Sequence, residues 1–251
     1  MVTKQLVIKK SRPTQETPIQ EVFRREEVKY CLTPEKADLL LQEIAPHIKP
    51  DKYPTGTNSS IYFDTRDGYL ALHSLEKPLY KEKIRIRSYS CPTTLDSTIF
   101  IEIKKKFDGI GNKRRIAVKL RDFYTYLETG SLITENPQIR RELDYCFKFY
   151  NLIPYLYLAY DRHSYAGAAP EDSTFRLTFD RNIRYRTTNL RLETPGKDTL
   201  YFNNGEIIME AKALDAYPLW FTRALSKLKI YPVSFSKYGK VCQKLYYHQQ
   251  G

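Results

Sequence analysis

Short runs in which charged and aliphatic side chains alternate constrain this chain's fold more than any other feature. Lys83, Arg85 and Arg87 alternate with Ile84 and Ile86, and Glu102, Lys104 and Lys106 alternate with Ile101 and Ile103. Lys113 and Arg115 lead a third run, and Arg176 lies between Phe175 and Leu177 in a later one. Side chains at i and i+2 share one face of a strand, so each run delivers its cations to one side and its aliphatic groups to the other. An antiparallel sheet with one solvated face would produce the same alternation. Such a face usually mixes lysine, glutamate, threonine and serine, whereas here it is biased to arginine and lysine. The other solution is a barrel with aliphatic side chains facing outward under covering helices and charges lining its interior. About eight strands give an interior wide enough for side chains or one small ligand.

The order of the remaining patterns fits that second solution. A strand pattern runs from Val22 to Tyr30, and a helix follows it. Thr33 can cap that helix, Pro34 suits its first turn, and Ala37, Leu40, Leu41 and Ile44 form its apolar stripe. Strands are predicted at 59–65, 83–90, 98–106 and 113–118, with a hairpin turn at Asp108-Gly109. Two helices follow, one over Leu120–Leu127 stopped by Gly130, the other opened by Asn136-Pro137 and reaching Tyr150. Strands return at 155–163, 174–180, 182–187 and 206–212, then helices around Phe221–Leu228 and from Ser236 onward. Runs of strands interrupted by helices in a few places predict an α+β fold with mostly antiparallel pairing. No linker divides the chain, so residues 21–251 are expected to form one domain behind a loose N-terminal tail at 1–20.

Composition narrows the partner. Among 251 residues, 41 are basic and 29 acidic, a net charge of +12 spread through the strands and not gathered in a tail. Nucleic acid, phosphates or an acidic membrane face would answer that charge. Nucleic acid is not expected, because the cations lie within strands and no recognition-helix or base-stacking signature is present. Cys31, Cys91, Cys146 and Cys242 contain no C-x-x-C pair, which argues against a zinc site, and all four are expected to be reduced. The most apolar stretch, Leu152–Tyr160, is too short to span a bilayer and contains Pro154, so no transmembrane segment and a cytoplasmic location are expected. Gly109-x-Gly111 reads as the hairpin turn and not as a nucleotide loop, since the strand-turn-helix setting is missing.

Electrostatics restricts the ligand of such an interior. Two like charges about 4 Å apart repel by about 4 kcal/mol at an effective dielectric near 20. Several inward cations therefore destabilise an empty barrel, and bound anions relieve the cost. Arginine matches phosphate oxygens bidentately, while lysine supplies a point charge. A run of phosphates suits this lining better than a single carboxylate.

The ordered series Glu27-Val28-Lys29-Tyr30, Tyr62-Phe63-Asp64-Thr65, Arg85-Ile86-Arg87, Glu102-Ile103-Lys104, Lys113-Arg114-Arg115, Tyr160-Asp161-Arg162, Phe175-Arg176, Glu210-Ala211-Lys212 and Ser236-Lys237-Tyr238 resembles the VTC domain. That family is the polyphosphate-polymerase branch of the triphosphate tunnel metalloenzymes. The resemblance spans Phe23 to about Tyr247 and rests on nine motifs in register, none of them specific alone. It implies an antiparallel β-barrel, the triphosphate tunnel, with helices packed outside. It also implies an enzyme that transfers the γ-phosphoryl group of ATP onto a growing inorganic polyphosphate chain. Carried over by position, Arg85, Arg87, Lys104, Arg162, Arg176 and Lys237 would be the catalytic cations. Lys29, Lys113, Arg115, Tyr160 and Ser236 would bind substrate and product phosphates. Glu210, with Glu27, would hold Mn²⁺ or Mg²⁺, and Glu102 is a further candidate helper.

The chemistry suits these residue types. Phosphoryl transfer needs positioning and charge stabilisation, and an acceptor phosphate is already ionised, so no general base is required. The superfamily opens with E-x-E-x-K, but here Arg25 takes the first acidic position. Fewer carboxylates disfavour a water-activating triphosphatase, which stands with a non-catalytic polyphosphate-binding module as the alternative function. Structural roles compete at several positions: an ion pair with Asp161 or Asp180 for Arg162 and Arg176, pairing with Lys212 for Glu210, a helix cap for Ser236, and the core for Tyr160.

Overall fold

The computed structural model describes residues 25–249 apart from Gly109, Ile133, Glu135 and Asp215. The tail expected at 1–20 and the start of the strand expected from Val22 lie outside the described residues. The chain runs through β1 (Arg25–Leu32), α1 (Pro34–Ile44), a 3-10 turn (Ala45–His47), β2 (Ile48–Asp64) and α2 (Tyr69–Leu75). Strands β3 (Tyr80–Ser88), β4 (Thr98–Phe107) and β5 (Ile110–Lys119) follow, then helices α3 (Leu120–Thr129) and α4 (Pro137–Tyr150). The second half contains β6 (Ile153–Gly167), β7 (Arg176–Arg186), β8 (Thr199–Leu200), β9 (Ile207–Leu214), α5 (Leu219–Lys227), β10 (Pro232–Val233) and α6 (Lys237–Gln249).

All strand pairings are antiparallel, in the order β10-β1-β9-β7-β6-β2-β3-β4-β5, with β8 added to β7. Among the described residues no pairing joins β5 back to β10 or β1, so hydrogen bonds do not close the sheet. It nevertheless curls on itself. Lys104 on β4 feels the charges of Glu27 and Lys29 on β1 and of Glu210 on β9, although β4 stands six places from β1 in the strand order. The result is a barrel-like tunnel with a lateral seam between β5 and β1.

Alternation decides which face goes where. On the outer face Ile61, Phe63, Ile84, Ile86, Ile101, Ile103 and Ile116 pack beneath Leu120 and Phe123 of α3 and Leu143 of α4. A second outer core joins Tyr30, Leu177, Phe179 and Met209 to Leu40 of α1 and Phe221 of α5. Each fully buried Ile, Leu or Phe contributes about 1.5–3 kcal/mol, which fixes the register that sends the charges inward. The third apolar cluster lies on the inner face. Tyr62, Leu158, Tyr160, Tyr185 and Ile208 meet Tyr238, Val241 and Cys242 of α6, so this helix covers one end of the tunnel's interior.

Three elements depart from the sequence reading. Strand β2 begins at Ile48 and tolerates Pro50 and Pro54 because its pairing with β6 is broken between Pro50 and Thr55. The two strands expected at 174–180 and 182–187 are one strand, β7, carrying Asn182 in the left-handed region at φ 49° beside a register shift. Helix α2 lies where the sequence predicts no element, between the strands expected at 59–65 and 83–90. It forms because buried Asp64, placed before it, accepts hydrogen bonds from the backbone N–H groups of Leu70 (2.8 Å) and Ala71 (2.9 Å). Those groups are the orphan donors of a helix start. All four cysteines are free.

Candidate functional site

Register brings the predicted cations onto one surface. Lys29 lies opposite Glu210, Glu27 opposite Lys212, Arg85 opposite Glu102, and Lys104 between Lys83 and Lys113 on its two neighbouring strands. Residues directly opposite one another share a face, so each pair points into the tunnel together. Among the described residues ten cations gather there: Lys29, Lys83, Arg85, Arg87, Lys104, Lys113, Arg115, Arg162, Lys212 and Lys237. Four carboxylates answer them: Glu27, Glu102, Asp180 and Glu210.

Each carboxylate holds several cations at once. Glu102, 1% exposed, accepts from Arg85 Nε (2.7 Å) and Nη2 (2.6 Å) and pairs with Lys113 (2.6 Å) and Arg115 (3.4 Å). Burial alone would raise its pKa, but Arg85 and Lys113 hold it down at about 2. Glu102 is therefore a clamp for cations and not a free ligand for an added ion. Asp180, fully buried, takes a bidentate bond from Arg162 (2.6 and 2.8 Å) and an ion pair from Lys237 (2.5 Å). Desolvation works against its ionisation, and the charges of Lys237 and Arg162 outweigh it, so its pKa is lowered. The competing structural role for Arg162 is thus realised at Asp180, with its guanidinium still on the tunnel face.

Glu27 and Glu210 share two lysines. Lys212 lies 2.5 Å from Glu210 and 3.5 Å from Glu27; Lys29 lies 3.2 Å from Glu27 and 3.9 Å from Glu210. Glu210 is held at about pKa 2, where Lys212 and Lys29 overcome its desolvation. No group of three or more His, Cys, Asp or Glu side chains with metal-site geometry exists among the described residues.

The polar partners of the remaining candidates are also specific. Arg87 donates to Ser60 Oγ (3.2 Å) and Tyr160 Oη (3.1 Å) and makes no ion pair among the described residues. Tyr160 is buried, and its ring also faces Lys237 at 4.7 Å and Arg162 at 5.2 Å, so it is a core residue in contact with the tunnel cations. Ser236 Oγ accepts from Lys83 Nζ (3.0 Å) and from the backbone N–H of Gly239 (3.2 Å), so it caps α6 and faces the cluster together. Arg176 lies opposite Lys212 in the register, but its guanidinium makes no ion pair with the four tunnel carboxylates. Its guanidinium donates to the carbonyls of Ser173 (2.6 Å) and Phe175 (3.0 Å) and lies 3.5 Å from Asp51, at the start of β7.

Three residues named in the sequence reading without a site role join the cluster. Lys83 shares the face of Arg85, and its pKa is lowered, by burial above all and by the charges of Lys81 and Lys104. Lys212 holds both Glu27 and Glu210. Tyr62 accepts from Arg85 (2.7 Å) and stacks on Tyr238 at 4.2 Å, tying the arginine to α6. The i, i+2 relation to Arg85 and Glu210 could have found the first two. The third depends on where α6 docks.

The chain matches the VTC domain family over residues 24–246. A candidate adenylate cyclase of Bacillus halodurans shares the fold, with a TM-score of 0.51 and 14% identity over 84% of this chain and 95% of that one. A second candidate adenylate cyclase, from Vibrio parahaemolyticus, aligns with a TM-score of 0.44 and 10% identity over 87% of this chain and 97% of that one. No curated protein sequence matches the chain.

Proposed function

The chain belongs to the VTC domain family, and from that premise we propose that it is a polyphosphate polymerase, transferring the γ-phosphoryl group of ATP onto a growing polyphosphate chain. The observation that carries this reading is the imbalance of the tunnel face, where four carboxylates answer ten cations. An unbranched polyanion threaded along that face would neutralise the excess, with Arg85 and Arg87 of β3, Arg162 of β6 and Lys237 of α6 facing its phosphates. Arg85 and Arg162 are pre-oriented by Glu102 and Asp180, so little side-chain freedom is lost on binding.

The four carboxylates also bear on the reaction. All are ion-paired, and three of them, Glu102, Asp180 and Glu210, are buried among the cations that hold them. Transfer to a phosphate acceptor, whose attacking oxygen is already ionised, needs no general base. Hydrolysis does less well in this setting.

Glu27 and Glu210 fit a hard divalent ion such as Mn²⁺ or Mg²⁺ only as a partial set, two carboxylates to which phosphate oxygens and water would add the rest. Held there by Glu27 and Glu210, the ion would supply positive charge that offsets the charge developing during transfer. Lys29 and Lys212 each pair with both carboxylates. Glu210→Gln is expected to weaken metal dependence, seen as a rightward shift in a Mn²⁺ titration of activity; an unchanged titration would reject that role.

Incubation with ATP and Mn²⁺ tests the proposal. Long acid-labile phosphate chains support it. Orthophosphate and ADP without polymer would point to a triphosphatase, and phosphate-chain binding without turnover to a binding module.

A further inference from the structure

One exposed aromatic ring stands beside the phosphate-facing cations without serving a core. Tyr89 follows directly on β3, two residues after Arg87, and is 47% exposed. The guanidinium groups of Arg115 and Arg87 lie 5.4 Å and 5.8 Å from its ring centre. Phe100 meets it edge-on at 5.6 Å and itself carries Arg115 stacked at 3.5 Å. The phenol pKa is lowered; burial opposes this, and the charges of Arg87 and Arg115 prevail.

The backbone that presents Tyr89 is anchored on both sides. Buried Ser88 Oγ accepts from the backbone N–H of Ser90 (3.1 Å) and from Thr93 Oγ1 (3.0 Å), which also reaches the Ser90 carbonyl at 3.0 Å. A single exposed tyrosine is ordinary. This one is fixed on a braced turn with a free ring face, next to two arginines whose charge calls for phosphate.

We propose that Tyr89, backed by Phe100 and Arg115, is the stacking platform for the base of the nucleoside triphosphate at this mouth of the tunnel. The inference rests on the proposed function, since it presumes a nucleotide whose phosphates reach Arg87 and Arg115. A purine set against the Tyr89 ring would also receive the neighbouring guanidinium charge on its π face. The ring face reads the presence of a base by stacking and so discriminates weakly between adenine and guanine.

Binding of ATP and of inorganic tripolyphosphate to the wild type, Tyr89→Ala and Tyr89→Trp tests this by calorimetry. Stacking is worth about 1–3 kcal/mol per base, so Tyr89→Ala should weaken ATP at least fivefold while tripolyphosphate changes less than twofold. Tyr89→Trp should restore ATP binding. Equal effects of Tyr89→Ala on both ligands would overturn the platform and leave Tyr89 as a support for its arginines. So would no effect on either. Failure of the wild type to bind tripolyphosphate would instead overturn the proposed function, and the platform with it.

Discussion

At the scale of single residues, the tunnel cations divide by whether a carboxylate holds them. Removing one of several crowded cations should relieve repulsion, and for Arg87 that holds, because its partners are the hydroxyls of Ser60 and Tyr160. Lys237 differs, since it neutralises buried Asp180 at 2.5 Å. Breaking a buried ion pair by removing one partner costs about 3–5 kcal/mol. Here Arg162 remains on Asp180, so the cost should fall at or below the lower end of that range. Arg87→Ala, where relieved repulsion offsets two lost hydrogen bonds, should lose little stability in denaturant titration, and Lys237→Ala should lose clearly more, while both lose polymer synthesis. Equal stability of the two variants would show that Asp180 does not depend on Lys237. Nothing in the sequence separated these residues, because the partner of Lys237 comes from a strand 57 positions earlier.

At the scale of elements, periodicity revealed what local pattern can encode. The helices α1, α3, α4 and α5 and the hairpin β4–β5 were legible because each has its own stripe, cap or turn. Helix α2 was not, because its start is satisfied by a carboxylate that precedes it on β2 and its stripe is only seven residues long. The same Asp64 accepts a 2.5 Å bond from Tyr238 of α6 and so joins the two helices at the covered end of the tunnel. Asp64→Ala should cost about 2–4 kcal/mol in chemical unfolding, from lost capping and an unsatisfied phenol. A loss under about 1 kcal/mol would mean that α6 is held by apolar packing alone. On the outer face, Phe123→Ala, fully buried among Phe63, Tyr126 and Phe147, should cost about 3–5 kcal/mol without touching phosphate binding.

At the scale of the whole molecule, the tunnel links charge to pH. Glu102 and Glu210 titrate near pH 2 in the folded protein against an ordinary 4.5, so the unfolded chain takes up protons first as pH falls. Their contribution is complete above about pH 4.5 and is lost on the way down to about pH 2. The melting temperature should drop through that window, and Glu102→Gln should make the drop shallower; an unchanged slope would contradict the ion-pair assignment. The basic side behaves oppositely. Lys83 and Lys104 have lowered pKa values, burial being the first cause for each. A bound polyanion stabilises their protonated forms. Tripolyphosphate binding at alkaline pH should therefore be accompanied by proton uptake, measurable as a buffer-dependent binding enthalpy, and should weaken as pH rises further. No helix among the described residues is long and apolar enough to cross a membrane.

The sequence by itself determined the two-residue period of the strands, the basic bias of one face, the caps and stops of most helices, and the ordered motifs that mark the family. These are local properties, set by side-chain direction and backbone preference within a few residues. Only the tertiary structure decided which carboxylate holds which cation, that Arg176 is tied to backbone carbonyls, that α6 covers the inner face, and that the sheet curls without a closing pairing. Each of those joins strands far apart in the chain, and their energies depend on burial, which no local pattern carries.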